Sequence, residues 1–310
     1  MYSNAEIVRG IAYVTMIRLL FIVNPISGPS SKGNILSAIT DSIDMQKYDV
    51  TIRFTNHPGH ATELASEAVA EGYDVVVAVG GDGTVNEVAR ALVGTDTALG
   101  ILPCGSGNGL ARHLHIPMNA RKAVEIINAG EVDAIDVMTV NGQYCFCTAG
   151  VGYDAKVSAD YAKDSRRGLV TYAKKAIGGW LEYEPEEYII EVNDQILKRR
   201  AVAIVCANAN QWGNDFHVAP KASLKDGLID VTIIHPMKLQ NVISMPVQML
   251  GYSFDRNPDV ETIKANRVVI KKRNMSAIHI DGEPIESKDE VCVDIKRSSL
   301  SVIIKAGNLT

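Results

Sequence analysis

The fold is decided by one stretch of the sequence, Val76–Glu87, which reads VVAVGGDGTVNE. Its first four residues are apolar, as expected for a strand that is buried on both faces of a sheet. Glycines follow at Gly80, Gly81 and Gly83, and then a helical pattern begins. A strand that ends in a glycine turn and opens into a helix presents backbone N–H groups and the positive helix end to phosphate oxygens. The stretch therefore predicts a phosphate-binding turn, in which Asp82 supplies a charge for a metal or for positioning a phosphate.

Short apolar runs alternate with helical patterns through the first half of the chain, which is typical of a parallel sheet covered by helices. The predicted strands are Ile17–Val23, Tyr48–Phe54, Asp74–Val79 and Ala98–Leu102. The predicted helices are Lys32–Ile43, Ala61–Glu71, Val85–Leu92 and Ala120–Ala129. We therefore predict an α/β nucleotide-binding domain over residues 16–136, with residues 1–15 as an extension outside the fold.

After about residue 135 the pattern changes to β-rich segments separated by turn signals such as Asn193-Asp194 and Asp281-Gly282. The main predicted strands are Val137–Thr148, Tyr188–Val192, Ala201–Ala207, Ile229–His235, Arg267–Lys271, Ala277–Ile280, Glu290–Ile295 and Ser299–Lys305. Helices are predicted at Gly168–Trp180 and Leu239–Met249. These features predict a β-rich, mainly antiparallel second domain over residues 137–298, and leave open whether residues 299–310 return to the first. Because no low-complexity linker separates the domains, we expect the active site in a cleft between them.

Composition limits the class of protein. With 310 residues, 46% hydrophobic and 22% charged, the chain is a globular protein long enough for two domains of ~150 residues. Its 31 Lys and Arg against 36 Asp and Glu give a net charge of −5, which argues against broad binding of nucleic acid. Five cysteines without C-x-x-C spacing predict reduced thiols and a cytoplasmic protein. The longest apolar stretch, Ile11–Val23, contains Arg18 and is shorter than the ~20 residues that span a bilayer, so no membrane anchor is predicted.

Two further turns follow predicted strands of the first domain. One is Asn24–Gly28 (NPISG) and the other is Pro103–Gly109 (PCGSGNG). Because the carboxyl ends of parallel strands meet at one edge of a sheet, the three turns together predict a polyphosphate cradle. Thr55, just past the second strand, is either a hydroxyl of the same edge or a plain loop residue. The chain lacks the P-loop segment, the Rossmann glycine spacing and the protein-kinase signatures.

These motifs resemble those of the diacylglycerol-kinase catalytic family, especially its soluble bacterial lipid kinases. The family also includes sphingoid-base kinases and is distantly related to NAD kinases. Beyond NPISG, GGDGTVNE and PCGSGN, the resemblance includes Ala222–Asp230 (ASLKDGLID) and Ile280–Pro284 (IDGEP). It extends from about Ile17 to Lys305, nearly the whole chain.

The resemblance implies an ATP-dependent lipid kinase that transfers the γ-phosphoryl group to a primary hydroxyl of diacylglycerol or a related lipid. It implies that ATP is bound by Asn24, Pro25, Ile26, Ser27, Gly28, Thr55, Gly80, Gly81, Asp82, Gly83, Thr84, Val85, Asn86 and Ser106. It further implies that Asp226 and the carbonyls of Ser223 and Leu228 hold a structural Mg²⁺. Asp82 and Glu283 would be catalytic, with Glu283 as the general base. From the residues alone, Asp226 suits either a hard cation or a turn cap, and Glu283 is either a base or a solvated turn residue.

One departure from the family concerns Gly109, where bacterial diacylglycerol kinases usually carry Asp. The local sequence is closer to that of sphingoid-base kinases, so a sphingoid-base or ceramide kinase remains an alternative. Asp154 is either a replacement carboxylate that faces the acceptor or a structural cap. The sequence also leaves open a soluble-acceptor kinase of the NAD kinase type and a non-catalytic nucleotide-binding regulator. His113 and His115 are interpreted as structural, and Cys145 and Cys147 as core residues, because their spacings do not suit a metal site.

A lipid kinase has to meet its substrate at a membrane surface, so we expect peripheral contact with a bilayer. One candidate segment is Lys163–Trp180, which holds the basic residues Lys163, Arg166, Arg167, Lys174 and Lys175 and ends in a tryptophan. Basic residues are attracted to anionic lipids and Trp favours the interface, but a solvated helix face is the alternative. The sequence leaves open whether the chain forms a homodimer.

Overall fold

The structure is a computed structural model, which describes residues 7–8, 11–12, 16–28, 32–163, 179–180, 182–275, 278–286, 289–305 and 307. The chain divides into two compact units. The first contains Met1–Gly105, Ile116–Asp133 and Leu300–Ala306, and the second contains Ser106–His115, Ala134–Ser299 and Gly307–Thr310. The division therefore passes through the third glycine turn, between Gly105 and Ser106.

The first unit is built on a parallel sheet. Its first strands form a separate antiparallel pair of two residues each, β1 (Ile7–Val8) and β2 (Ile11–Ala12). The sheet strands are β3 (Ile17–Val23), β4 (Tyr48–Phe54), β5 (Val75–Gly80) and β6 (Ala98–Pro103). They run parallel in the order β4-β3-β5-β6, and the end of the last strand of the chain joins β6, with Val302 opposite Leu99. All four predicted strands are confirmed to within one residue.

Helices cover this sheet. They are α1 (Lys32–Ser42), α2 (His60–Ala70), α3 (Asp82–Leu92) and α5 (Ala120–Ala129), whereas α4 (Gly109–His113) belongs to the second unit. Helix α3 buries Val85, Val88, Ala89 and Leu92, the spacing of one helix face turned to a core. It begins three residues earlier than predicted, at Asp82, because Gly81 is extended and a carboxylate in the first turn is favourable at the positive helix end.

The second unit consists of two sheets. One is formed by β7 (Val132–Val140), β8 (Gln143–Cys145), β10 (Glu186–Val192), β11 (Gln195–Ala201), β15 (Arg267–Lys271) and the first part of β18 (Glu290–Ile303). The other has the order β14-β13-β12-β9-β16-β17 and contains β9 (Thr148–Gly152), β12 (Ala203–Ala207), β13 (Ile229–Ile234), β14 (Val260–Ala265), β16 (Ile278–Ile280) and β17 (Glu283–Ile285). Every pairing in this second sheet is antiparallel. Buried apolar side chains from both sheets share one core, so the predicted fold class is confirmed.

Among the described residues, α6 (Tyr153–Lys163) and α7 (Leu239–Leu250) also belong to this unit, and a short 3₁₀ helix (Phe254–Arg256) follows α7. The predicted helix at Leu239–Met249 is confirmed. The other, Gly168–Trp180, lies outside the described residues apart from its last two. In the part of the chain that the structure describes, no helix is long and apolar enough to cross a membrane.

Some predicted strand limits in the second half are wrong. The run Val137–Thr148 belongs to three strands, because Asn141 and Gly142 adopt left-handed φ values of 49° and 82° and form a hairpin turn. The predictions at Glu290–Ile295 and Ser299–Lys305 are one continuous strand, β18, which passes through Ser298 with a φ of 44°. Strands β11 and β14 were missed because their sequences, QILKRRA and VETIKA, contain charged residues on exposed faces.

Candidate active site

The GGDGT turn joins the buried strand β5 to helix α3. The first helical hydrogen bond runs from Val85 N–H to Gly81 O (3.0 Å). The backbone amides of a first helical turn have no acceptor inside the helix, and they lie at the positive end of the helix dipole. The start of α3 is therefore a site that can bind an anion. Glycine is required at Gly80, because an added Cβ would overlap the Thr84 hydroxyl. Gly83 is exposed and Asp82 partly exposed, so the turn is open to a ligand.

The NPISG turn lies against the GGDGT turn. Asn24 N–H donates to Val79 O (3.0 Å), and Asn24 Nδ2 donates to Thr84 Oγ1 (3.0 Å). Gly28 has a left-handed φ of 75°, and a Cβ there would overlap the carbonyl oxygen of Cys104. These contacts fix the first turn against the second and against the start of the third.

The third turn begins beside the other two. Cys104 N–H donates to Gly80 O (2.8 Å), and a Cβ on Gly81 would lie 3.2 Å from Gly105 Cα. Thr55 follows β4 at the same edge, donates its N–H to Val23 O (2.9 Å) and is only 9% exposed. The structure thus brings together the predicted residues of the first unit. Ser106 is exposed and belongs to the second unit.

A pocket opens beside the NPISG turn. Its walls come from β3, β4, β5, α1 and the first and third turns, and are formed by Val23, Asn24, Pro25, Ser27, Ile35, Leu36, Phe54, Val79 and Cys104. Most of these side chains are apolar. The pocket therefore offers apolar surface directly next to the backbone amides of the turns.

Glu87, to which the sequence assigned no role, holds helix α2. Its carboxylate accepts hydrogen bonds from Gly59 N–H (2.9 Å) and Ala61 N–H (3.1 Å), and its carbonyl accepts one from Thr62 Oγ1 (2.8 Å). The residue before α2, Gly59, provides no side chain to cap the helix. Glu87 therefore satisfies first-turn amides that would otherwise need another acceptor. In the sequence, the contact of Glu87 with α2 was indicated only by the lack of a capping side chain before Ala61.

Glu283, the predicted general base, stands on a tight hairpin in the second unit. Asp281 and Gly282 form the predicted turn between β16 and β17, with left-handed φ values of 50° and 84°. Glu283 is the first residue of β17, pairs with Ile280 and is exposed. Its carboxylate is therefore positioned by the backbone of a two-residue turn and open to a reactant.

Asp281 anchors that hairpin to the neighbouring strand. Its carboxylate accepts backbone N–H groups of Phe146 (2.9 Å), Cys147 (2.7 Å) and Thr148 (3.1 Å), and the Cys145 thiol lies 3.3 Å from Oδ1. Burial and the nearby carboxylate raise the pKa of Cys145, so it is a neutral core thiol, as predicted. Sequence reasoning did not identify this role of Asp281.

The second anchor of the hairpin is a buried pair of His279 and Asp154. His279 Nε2 lies 2.7 Å from Asp154 Oδ2, and Gly282 N–H donates to His279 Nδ1 (3.2 Å). His279 is 1% exposed and Asp154 7%. Burial lowers the pKa of His279, but the Asp154 carboxylate outweighs it, so the net shift is upward. Of the two interpretations of Asp154, the structure supports the structural one, because its carboxylate is buried and paired.

One of the predicted Mg²⁺ ligands, Asp226, is paired with a lysine. Asp226 Oδ1 accepts Leu228 N–H (3.0 Å), and Asp226 Oδ2 lies 2.8 Å from Lys264 Nζ. The same ammonium lies 2.8 Å from Asp230 Oδ2 and 3.2 Å from Lys221 O. Burial lowers the pKa of Lys264, and its two carboxylate partners outweigh this and raise it. As they are arranged, these residues do not fit a structural Mg²⁺, because an ammonium already neutralises Asp226, the one charged ligand of the predicted set.

The structure gives His113 and Trp180 structural contacts and gives no reason for the glycine at Gly109. His113 in α4 accepts Asn210 N–H on Nδ1 (3.0 Å), and burial lowers its pKa to about 4. A Cβ on Gly109 would lie 3.5 Å from Cys147 Sγ, an ordinary contact, so space does not explain the glycine. Trp180 is 6% exposed and packs edge-on against Tyr153 (5.4 Å between ring centroids). Buried in this way, it is not an interfacial side chain. The basic residues 166–175 of the same segment lie outside the described residues.

Models of two known domain families together match nearly the whole chain. A model of the diacylglycerol kinase catalytic domain matches residues 18–140, and a model of the YegS C-terminal NAD kinase beta sandwich-like domain matches residues 147–304. The diacylglycerol kinase of Bacillus subtilis (strain 168) is 29% identical over 273 residues, which cover 86% of this chain and 90% of the relative. That of Staphylococcus saprophyticus is 24% identical over 270 residues, with 86% and 88% covered.

Solved structures show the same fold. A diacylglycerol kinase from Bacillus anthracis str. Sterne has a TM-score of 0.73 at 20% identity, covering 95% of this chain and 98% of that one. An NAD kinase from Archaeoglobus fulgidus in complex with ATP has a TM-score of 0.55 at 12% identity, with 94% and 95% covered. At these identities the likeness concerns the fold alone. The two domain models, in contrast, match in sequence and in chain order, and the second by itself covers more than half of the chain. The chain therefore belongs to the diacylglycerol kinase family of lipid kinases and is a phosphotransferase.

Proposed function

We propose that the protein transfers the γ-phosphoryl group of ATP to the primary hydroxyl of diacylglycerol. The observation that carries this proposal is the meeting of the NPISG, GGDGT and PCG turns at the positive end of α3. Such an arrangement of amides suits a polyphosphate. The NAD kinase of similar fold binds ATP, which supports the same nucleotide here.

Phosphoryl transfer depends mainly on positioning and on stabilising phosphate charge. In the proposed reaction the acceptor oxygen forms a bond to the γ-phosphorus while the bond to the bridging oxygen of ADP breaks. The amides of the turns stabilise the charge of the phosphate oxygens. Asp82, at the first position of α3, orients the phosphates or a cation bound to them.

The proton of the acceptor hydroxyl goes to Glu283 in this proposal. Its carboxylate is exposed and held on a two-residue turn whose two anchors are Asp281 and the His279–Asp154 pair. A base fixed in this way needs little reorganisation when the reactants are aligned. Diacylglycerol is the proposed acceptor because relatives that match almost the full length carry that name.

The test is to incubate the full chain with γ-labelled ATP and diacylglycerol in mixed micelles and to identify the labelled lipid. Glu283→Gln should lower turnover ~10²–10⁴-fold, the usual contribution of a general base, with ATP affinity unchanged. Glu286→Gln is the matched control, because Glu286 is also exposed and lies just beyond the same hairpin.

Parallel reactions with a sphingoid base, ceramide and NAD test whether another acceptor is preferred. Labelling of one of these in preference to diacylglycerol would replace the proposed substrate. ATP binding without labelling of any acceptor would instead support a nucleotide-binding regulator.

A further inference from the structure

Helix α7 (Leu239–Leu250) has two apolar faces. One side buries Val242, Met245 and Met249 in a core cluster of the second unit. The other is a line of exposed side chains at spacings of four, four and three residues: Leu239 (56% exposed), Ile243 (63%), Val247 (72%) and Leu250 (51%). Residues at these spacings share one helix face. Tyr252, directly after the helix, is 51% exposed and extends the same apolar surface.

The helix is also uncharged. The stretch Leu239–Phe254 contains no Asp, Glu, Lys, Arg or His, in a chain of which 22% is charged. The outer face of a surface helix normally carries charged residues. Exposed apolar side chains are common singly, but a continuous face, on the order of 500 Å² for these five residues, marks an interaction site.

Basic residues border this face, and the carboxylates beside it have ionic or hydrogen-bonding partners. Lys238 precedes the helix and Arg256 follows it, and both are exposed. Asp255 is paired with Lys221 (2.7 Å); the lysine side chain is 76% exposed and the aspartate side chain 5%. Asp259 accepts Asn241 Nδ2 (2.6 Å).

The carboxylate near Tyr252 is also paired with a basic side chain. Asp215 is paired there with Arg112 (2.6 Å). The surface therefore combines an apolar centre with exposed positive charge at both ends of the helix.

We propose that the outer face of α7 docks on an anionic lipid bilayer. The apolar side chains would enter the boundary between headgroups and acyl chains, and Lys238 and Arg256 would meet anionic headgroups. This choice of occupant rests on the proposed function, in which the acceptor is a membrane lipid, and on the charge pattern. A second copy of the chain fits less well, because the face is smaller than the ~800 Å² per partner of a standard interface and its like charges would repel.

The experiment is co-sedimentation of the full chain with vesicles of phosphatidylcholine alone or mixed with phosphatidylglycerol. The double variant Ile243→Gln/Val247→Gln should bind the anionic vesicles at least about tenfold more weakly, since two apolar side chains no longer leave water. The matched control is Ile196→Gln, an isoleucine that is 70% exposed on β11, and it should bind like the wild type. Lys238→Gln/Arg256→Gln should weaken binding to anionic vesicles alone and make it less sensitive to salt.

Ile243 and Val247 are both exposed, so the unfolding temperature of the double variant should match that of the wild type. The single variant Val247→Glu repeats the test if the double variant is unstable. Vesicle binding equal to the wild type in these variants would overturn the proposal. So would a wild-type dimer in solution that the same substitutions dissociate, because the face would then join two copies.

Activity on diacylglycerol in mixed micelles separates the two proposals. If the wild type phosphorylates no lipid in micelles but its vesicle binding requires α7, the proposed function fails and the docking proposal stands. If micellar activity is intact and vesicle binding does not depend on α7, docking alone fails.

Discussion

The hairpin that carries Glu283 provides a quantitative test of how the candidate base is held. Replacing Asp281 by Asn keeps the size and the left-handed preference of the side chain but removes its charge and half of its accepting capacity. In the wild type, Oδ1 accepts Cys147 N–H and Thr148 N–H, and Oδ2 accepts Phe146 N–H. The variant can keep its amide oxygen at the Oδ1 position, which places its NH₂ group against the Phe146 amide.

The cost follows from these contacts. Phe146 is 2% exposed, so its amide would lose its acceptor in a buried position, at about 1–3 kcal/mol. The two remaining hydrogen bonds change from charge-assisted to neutral, at roughly 0.5–1 kcal/mol each. We therefore expect Asp281→Asn to lower the free energy of unfolding of the second unit by about 3 kcal/mol, a large part of the ~5–15 kcal/mol that stabilises a domain.

Urea unfolding followed by tryptophan fluorescence measures this loss. Both tryptophans of the chain, Trp180 and Trp212, belong to the second unit, so the signal reports on that unit. Asp194→Asn is the matched control, because Asp194 also has a left-handed φ, 59°, but is exposed in the hairpin turn between β10 and β11. It should stay within about 0.5 kcal/mol of the wild type. Coincident unfolding curves for the two variants would refute the anchoring role of Asp281.

Three further predictions concern Asp82, Glu87 and Lys264. Asp82→Asn should keep the fold and lower turnover ~10²–10³-fold in the labelled-ATP assay, since a preorganised charge at the phosphates is lost; near-normal turnover would remove Asp82 from the mechanism. Glu87→Ala should destabilise the first unit by about 1–2 kcal/mol in thermal unfolding followed by circular dichroism, because first-turn amides of α2 lose their acceptor; an unchanged transition would contradict this. Mg²⁺ without nucleotide should leave the unfolding temperature of the wild type unchanged and raise that of Lys264→Gln, whose two carboxylates are released; an equal rise in both would favour a metal beside Lys264.

The sequence predicts the first unit better than the second for a physical reason. Strands buried on both faces are continuous apolar runs, and glycine turns end them sharply, so the limits of β3 and β5 are visible in composition alone. In the second unit, strand limits depend on left-handed turns such as Asn141-Gly142, which divides an otherwise continuous apolar run. Exposed strands such as β11 carry polar residues whose pairing depends on a partner distant in sequence.

For the candidate site, residue types and turns could be predicted, and the partners of side chains could not. The glycine turns and the hairpin of Glu283 follow from local sequence. The pairing of Asp154 with His279 joins residues 125 positions apart, and the contact of Asp226 with Lys264 joins residues 38 apart. Such contacts depend on strand order and register, which no short motif encodes. The Mg²⁺ ligands were transferred from a motif that does not include Lys264, and for that reason the ammonium was missed.

The GGDGTVNE segment itself serves two purposes that mutation can separate. Gly80, Thr84 and Glu87 hold structure: Gly80 leaves room for the Thr84 side chain, Thr84 accepts Asn24 Nδ2, and Glu87 binds the first turn of α2. Asp82 and Gly83 are the more exposed positions, at the positive end of α3. Substitutions of Gly80, Thr84 or Glu87 should therefore lower the free energy of unfolding of the first unit more than they lower turnover. Substitution of Asp82 should lower turnover in a protein that still folds, because the anion site itself is built from backbone groups of the turns and of the first turn of α3.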